Sequence, residues 1–320
     1  MNSTKQEMPV RMPDLLSLTA GLNTVIGGRR LTIVDRTPVP LASTYPSEIV
    51  TCRIQESVEL KVYCKYFGGL SYESYGHRGG VVYEAEVYRS LLGSLPVSVP
   101  TFYGTYQDRA NAETWLILEY LENTLRLGKS PQPESMLRAA RWIGRFHKIS
   151  EPRVSSAVSV LNNYTVDYYL GWVRRTLHFA RSLHARFPWL QVLCENAREI
   201  AAVLVTPQPT IIHGEYYPHN ILVRGDQIYP IDWESAAIGA GEIDLTSLTE
   251  AWPTEIAQQC EREYQAARWP EEPPADFERR LAAARAYLCF RWLGDQPEWT
   301  LHDADYFEQL RAAGEELGII

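Results

Sequence analysis

Between Arg30 and Tyr120 the apolar positions fall into short β-branched or aromatic runs separated by turn residues: Leu31 to Asp35, Glu48 to Ile54, Val58 to Tyr66, Pro100 to Tyr106 and Thr114 to Tyr120. Runs of this length and composition predict strands. One helix interrupts them over Tyr83 to Leu92, where Tyr83, Val87, Leu91 and Leu92 fall at helical spacing and Gly93 ends the pattern. After Tyr120 the period changes. Glu134 to Ile149, Asp167 to Arg186, Leu190 to Leu204 and Asp276 to Leu293 read as helices. Among them a short β-ribbon is expected from Ile221 to Val223 and Ile228 to Ile231, turning at Gly225-Asp226. The predicted fold class is therefore α+β. A strand-rich domain with one helix spans residues 1–120, and a larger helical domain containing the ribbon spans 121–320. The Pro- and acid-rich stretch Trp269 to Glu278 predicts an exposed loop, because closely spaced prolines cannot sustain a helix.

Composition removes several classes of function. The chain has 320 residues, 45% of them hydrophobic and 22% charged, the balance of a folded globular protein. Its formal charge of −8 argues against a nucleic-acid partner, since phosphate backbones are held by clustered Lys and Arg. The five cysteines are widely spread with no C-x-x-C pair, which predicts buried thiols in a reducing compartment and neither a disulfide framework nor a zinc site. The N-terminal residues lack the apolar core of a signal peptide, and no stretch approaches the roughly 18 apolar residues of a membrane span. A cytoplasmic enzyme or binding protein with no membrane partner is expected.

The chemistry concentrates in residues 211–245, IIHGEYYPHNILVRGDQIYPIDWESAAIGAGEIDL. His213 and Glu215 are followed by Asn220 five positions after the glutamate and, across the ribbon, by Asp232. This is the layout of a kinase catalytic loop followed by its metal-binding strand. Phosphoryl transfer needs an acceptor hydroxyl aimed at the γ-phosphate and cations to neutralise the triphosphate. Glu215 can orient that hydroxyl or take its proton, and Asn220 and Asp232 offer hard oxygen ligands suited to Mg²⁺.

These spacings, HG-E-x4-N, then I-D-W-E and a trailing Asp244, resemble the aminoglycoside phosphotransferase family of kinase-like enzymes, and the resemblance covers most of the chain. It implies a bilobal protein-kinase-like fold, with a small β-rich N-lobe and a larger helical C-lobe. The implied activity is transfer of the γ-phosphoryl group of ATP or GTP to a small-molecule hydroxyl with Mg²⁺. Asp244 resembles the family's buried aspartate that braces the catalytic loop, and His213 belongs to the same structural support. The pattern departs at one position: the family has Asp after His-Gly, whereas this chain has Glu215, one methylene longer.

A kinase-like nucleotide site also needs a strand lysine for the α- and β-phosphates, paired with a helix glutamate. Lys61 and Lys65 share one face of the strand ELKVYCKYF; Lys65 lies nineteen positions before Glu84, a separation suited to strand-then-helix pairing, with Glu86 as the rival partner. The protein-kinase glycine loop is missing between the first two strands. Ser43, Thr44 and Ser47 stand there as candidate phosphate donors, with an ordinary surface turn as the equal alternative. The run TWLILEYL resembles the family's hinge, where the backbone of Glu119 and Leu121 would face adenine. Gly128-Lys129-Ser130 lacks the upstream glycine of a P-loop, and neither G-x-S-x-G nor H-E-x-x-H occurs. His147 reads as a packing histidine.

The acceptor is expected in the helical domain. Tyr164, Tyr168, Tyr169, Trp172, Phe179, Phe187 and Trp189 offer stacking surfaces, with core packing as the alternative for most of them. Glu250, Glu255, Glu261, Glu263, Glu271 and Glu272 would suit a cationic or glycosylated acceptor, or form solvated helix faces. A second reading, a catalytically silent kinase-like protein that binds nucleotide or metabolite, follows from Glu215 and the missing glycine loop.

Overall fold

The computed structural model describes residues 12–27, 31–39, 45–55, 58–67, 75–108, 113–130, 132–205 and 208–320, and the chain divides into two compact units, 1–124 and 125–320.

In the N-terminal unit, helix α1 (Leu15–Ile26) precedes strands β1 (Leu31–Pro38), β2 (Ser47–Ile54) and β3 (Val58–Tyr66), then helix α2 (Gly80–Ser90) and strands β4 (Phe102–Asp108) and β5 (Glu113–Glu119). The strands form an antiparallel sheet in the order β1-β2-β3-β5-β4. Because strand side chains alternate between faces, Val62, Cys64 and Tyr66 of β3 enter a core with Leu18 and Leu22 of α1 and Trp115 of β5, while Lys61 and Lys65 lie on the opposite face. Gly21 lets α1 approach the sheet closely: a Cβ there would lie 2.5 Å from the Trp115 ring. The buried Glu48 is held by a bidentate contact from Arg36 at 2.7 and 2.8 Å and by the hydroxyl of the core residue Tyr66.

The C-terminal unit contains, in order, β6 (Leu125–Arg126), α3 (Glu134–Ser150), α4 (Val154–Ala157), β7 (Asn162–Asn163), α5 (Val166–Phe179), α6 (Trp189–Glu195), α7 (Ala197–Val205) and β8 (Thr210–Ile212). It continues with β9 (Ile221–Arg224), β10 (Gln227–Pro230), β11 (Ala237–Gly239), α8 (Glu242–Thr249), α9 (Thr254–Arg268), α10 (Phe277–Asp295), α11 (Pro297–His302) and α12 (Ala304–Glu316). The β9–β10 hairpin turns at Gly225, whose φ of +58° is readily available to glycine, and β6 adds to its outer edge. Helix α10 runs through the centre, burying Tyr287, Leu288, Phe290 and Leu293 against α5, α7 and α12.

Four sequence expectations change here. The helix expected from Asp167 to Arg186 ends at Phe179, and Ala180–Leu183 tightens into a 3₁₀ turn. The helix expected from Leu190 to Leu204 is two helices, parted at Asn196, whose amide side chain bonds the Val192 carbonyl and closes α6. Helix α1, the first among the described residues, falls in a segment for which the apolar spacing predicts no element. Among the cysteines, all of which are free, Cys194 is only half-buried.

Candidate active site

Strand β8 delivers the chain into a loop whose backbone is held by one buried carboxylate. Asp244, in the first turn of α8, accepts the His213 N–H at 2.7 Å on one oxygen and the Gly214 N–H at 2.9 Å on the other. Gly214 is required sterically: its φ is +81°, and a Cβ would lie 2.1 Å from the Ser235 carbonyl oxygen. The His213 ring bridges the loop. Its Nε2–H donates to the Ile231 carbonyl at 3.0 Å, leaving Nδ1 to accept the Glu215 N–H at 3.3 Å. Burial pushes this imidazole below its ordinary range, against the pull of Asp244, so the neutral tautomer fits both bonds.

Asp244 is itself the end of a buried chain of hydrogen bonds. Arg268 Nη1 donates to the Tyr264 hydroxyl at 2.6 Å, that hydroxyl lies 2.9 Å from His147 Nδ1, and His147 Nε2 lies 3.1 Å from Asp244. His147 is pushed below its ordinary value by burial, with Asp244 opposing. A neutral ring satisfies the chain, with Tyr264 donating to Nδ1 and Nε2–H donating to Asp244. The histidine read as a packing residue therefore also sets the carboxylate that sets the loop. Gly241 makes room for this network, since a Cβ there would come within 2.6 Å of Arg268, His147 and Tyr264.

Glu215 is buried, with its carboxylate 3.2 Å from Arg291 Nη1. Arg291 comes from α10, 76 residues away in sequence, and is 2% exposed. Its Nη2 donates to the Tyr217 hydroxyl, and its guanidinium lies 4.5 Å over the Trp292 ring. Burial pushes the Tyr217 hydroxyl above its ordinary range, so it is the neutral phenol that accepts this bond. Sequence reasoning misses Arg291, Tyr264 and Arg268, because no local spacing marks a helix residue that reaches the loop through the fold.

Asn220 and Asp232 are brought together by the hairpin. The Ile231 N–H donates to the Asn220 carbonyl at 2.9 Å, and Asn220 Nδ2 donates to the Glu215 carbonyl at 3.1 Å, which turns the Asn220 side-chain oxygen away from that bond. Asp232 sits at φ +68°, ψ +60°, a left-handed conformation that Asp tolerates better than branched residues. An amide oxygen and a carboxylate fixed by one hairpin suit a hard divalent cation such as Mg²⁺. Trp233, next to Asp232 in sequence, is buried against His213, Phe146 and Trp142.

In the N-terminal unit, Lys65 Nζ donates to Glu84 at 2.7 Å, with both side chains no more than 3% exposed. The rivals are engaged elsewhere at the surface, Lys61 with Glu122 and Glu86 with Arg89. Ser47 pairs opposite Lys65 across β2 and β3, and its buried Oγ has no hydrogen-bond partner among the described residues. Ser43 and Thr44 lie outside the described residues. Glu119 ends β5; its N–H donates to the Thr101 carbonyl at 2.8 Å and its carboxylate accepts from the Thr101 hydroxyl at 2.7 Å. Leu121 follows it, buried.

Of the aromatic residues expected as stacking surfaces, Tyr164, Tyr169, Trp172 and Phe187 belong to the helical core, with Tyr168 and Trp189 packed against it. Of the acidic residues, Glu263 is spent on Arg141 at 2.7 Å. Glu250 accepts from the Tyr306 hydroxyl at 2.6 Å, and burial raises its carboxyl above the ordinary range. Beside it, Trp292, Leu293, Asp303 and Tyr306 line a cavity of about 260 Å³. No described helix is long and apolar enough to cross a membrane.

The sequence profile of the phosphotransferase enzyme family matches residues 76–277. Among solved structures, the chain is similar to choline kinase from Cryptosporidium parvum Iowa II, at 12% identity and a TM-score of 0.63, with 96% of this chain and 98% of that one covered. It is similar to the GDP complex of an aminoglycoside 2'-phosphotransferase at 14% identity and a TM-score of 0.62, covering 95% and 98%. A third likeness is to macrolide 2'-phosphotransferase type I, at 19% identity and a TM-score of 0.57, covering 97% and 99%. No curated protein matches in sequence. At these identities the likeness is one of fold: the antiparallel sheet of the N-terminal unit and the helices of the C-terminal unit are those of a protein-kinase-like fold.

Proposed function

We propose, from the premise that this chain belongs to the phosphotransferase enzyme family, that it transfers the γ-phosphoryl group of ATP or GTP to a hydroxyl of a small molecule, with Mg²⁺. The observation that carries the reading is the spatial order of one short segment. Asn220 bonds the Glu215 carbonyl, the Asn220 carbonyl holds the N–H of Ile231, the residue before Asp232, and the loop is braced by Asp244 through two backbone N–H groups.

In this reading Glu215 accepts the hydrogen bond of the acceptor hydroxyl and takes its proton as the new oxygen–phosphorus bond forms. The bond from the γ-phosphorus to the bridging oxygen breaks, and the nucleoside diphosphate leaves. Asn220 and Asp232 would hold the cation, which when bound neutralises phosphate charge. Lys65, fixed by Glu84, takes the α- and β-phosphates, and the buried Ser47 hydroxyl is a further donor for phosphate oxygen. Ser43 and Thr44 share that proposed role, and the backbone of Glu119 and Leu121 is proposed for the adenine edge. The cavity lined by Trp292, Tyr306 and the Asp303 carboxylate supports an acceptor that carries a cationic group.

The test is thermal unfolding with and without Mg²⁺ and ATP or GTP, in the wild type and in Asp232→Ala. Binding to the folded state alone raises stability by about 2.7 kcal/mol at a hundredfold excess over Kd. The reading expects a metal-dependent rise that Asp232→Ala loses; no rise at saturating nucleotide would favour a protein that binds something other than a nucleotide.

A further inference from the structure

Glu215 is one methylene longer than aspartate, and the added torsion lets its carboxylate sweep on the order of 1 Å, a displacement that can cost about a hundredfold in rate when a reacting group is misplaced. Something has to fix the longer arm. The Arg291 guanidinium is placed to do so and is itself fixed on three sides: by Glu215 at 3.2 Å, by the Tyr217 hydroxyl, and by the Trp292 ring at 4.5 Å. We propose that Arg291 is a positioning residue for phosphoryl transfer, clamping the Glu215 carboxylate from α10 while Tyr217, two residues along the same loop, holds the clamp in register. The inference rests on the function proposed above.

The alternative is an arginine that merely neutralises a buried carboxylate. Two observations favour the clamp. A structural arginine this deeply buried ordinarily has its donors satisfied, yet Arg291 Nε is buried with no hydrogen-bond partner among the described residues. The second is that the anchor for Nη2 comes from the catalytic loop itself, Tyr217, and not from the helices around α10. Arg291 and the loop are therefore built as one unit. The planar guanidinium joins two anchors at a fixed geometry, Nη1 on Glu215 and Nη2 on Tyr217, whereas an ammonium on a flexible stem could balance the charge but would not hold both in register.

The experiment is a double-mutant cycle on turnover, with the full chain, Mg²⁺ and ATP or GTP, reading phosphate release to water and transfer to a panel of amino-alcohol and aminoglycoside hydroxyls. Tyr217→Phe is the mild variant, keeping the ring and removing only the hydroxyl; Arg291→Lys keeps the charge and removes the fork. The clamp predicts that each lowers kcat by about five- to tenfold with KM for nucleotide within about twofold. It further predicts that each costs less than about twofold in a Glu215→Asp background, whose shorter carboxylate no longer reaches the clamp. Equal losses in both backgrounds, a loss carried by KM, or full activity of Arg291→Lys would overturn the clamp and leave the proposed function standing. A wild-type chain inactive with water and with every acceptor would instead reject the function on which the clamp rests.

Discussion

Asp244 accepts the backbone N–H of His213 at 2.7 Å while its second oxygen accepts that of Gly214 at 2.9 Å, so one fully buried side chain sets the course of the loop that carries Glu215. Replacing it with asparagine keeps the size but gives up one acceptor and points an N–H₂ at a donor. Asp244→Asn should destabilise the protein by about 2–4 kcal/mol, as expected for an unsatisfied buried polar group, and lower turnover further than the stability loss explains. Urea unfolding and steady-state kinetics on the same preparation separate the two effects.

Gly214 supplies the second constraint on that loop. With φ at +81° and the Ser235 carbonyl oxygen 2.1 Å from the place of a Cβ, alanine meets backbone and not a yielding side chain. Gly214→Ala should cost on the order of 3 kcal/mol or more. Gly225→Ala, where φ is +58° but nothing lies within 4 Å, should cost about 1 kcal/mol. The difference in urea midpoints between these variants reports the steric part alone.

Acid should weaken the fold through the same network. His147 and His213 are both held below their ordinary values by burial, so the unfolded chain binds protons that the folded chain does not. Their contribution is complete above the unfolded value of about 6.5 and is lost progressively as pH falls below it. Unfolding free energy measured from pH 8 to pH 5 should therefore fall, and His147→Gln should show a shallower fall. An unchanged slope in that variant would remove His147 from the account.

Lys65 and Glu84 test the N-terminal unit independently. Both are buried, so removing one partner strands the other charge: Lys65→Met should destabilise by about 3–5 kcal/mol, and Lys65→Met with Glu84→Leu by distinctly less. Both variants should lose the nucleotide-dependent rise in melting temperature, because the double variant repairs the packing and not the site.

How far such a structure can be anticipated depends on the range of the contacts involved. The strands of the first unit and the β9–β10 hairpin were legible because alternation and a Gly-Asp turn are local signals. The pairing of Lys65 with Glu84 follows from strand parity and a short connection. Helix α1 was not legible: Leu15 and Leu16 are 55% and 83% exposed, so its apolar residues do not form a clean stripe, and what marks it is the Asp14 cap on Ser17. The split at Asn196 is likewise a side-chain-to-backbone choice inside an otherwise continuous apolar pattern. Arg291 and the chain from Arg268 through His147 reach the loop of Glu215 from helices distant in sequence, and only the packed fold brings them there.

The most direct test is phosphoryl transfer itself. With γ-labelled ATP or GTP, Mg²⁺ and a panel of hydroxylated amines, sugars and antibiotics, the wild-type chain should move label to at least one acceptor. Removing the metal should stop the transfer, and Glu215→Gln should lower it by at least about a hundredfold. Transfer by Glu215→Gln at the wild-type rate would contradict the role given to that carboxylate, and label that stays on the nucleotide across the whole panel would contradict the assignment of the chain as an active small-molecule kinase.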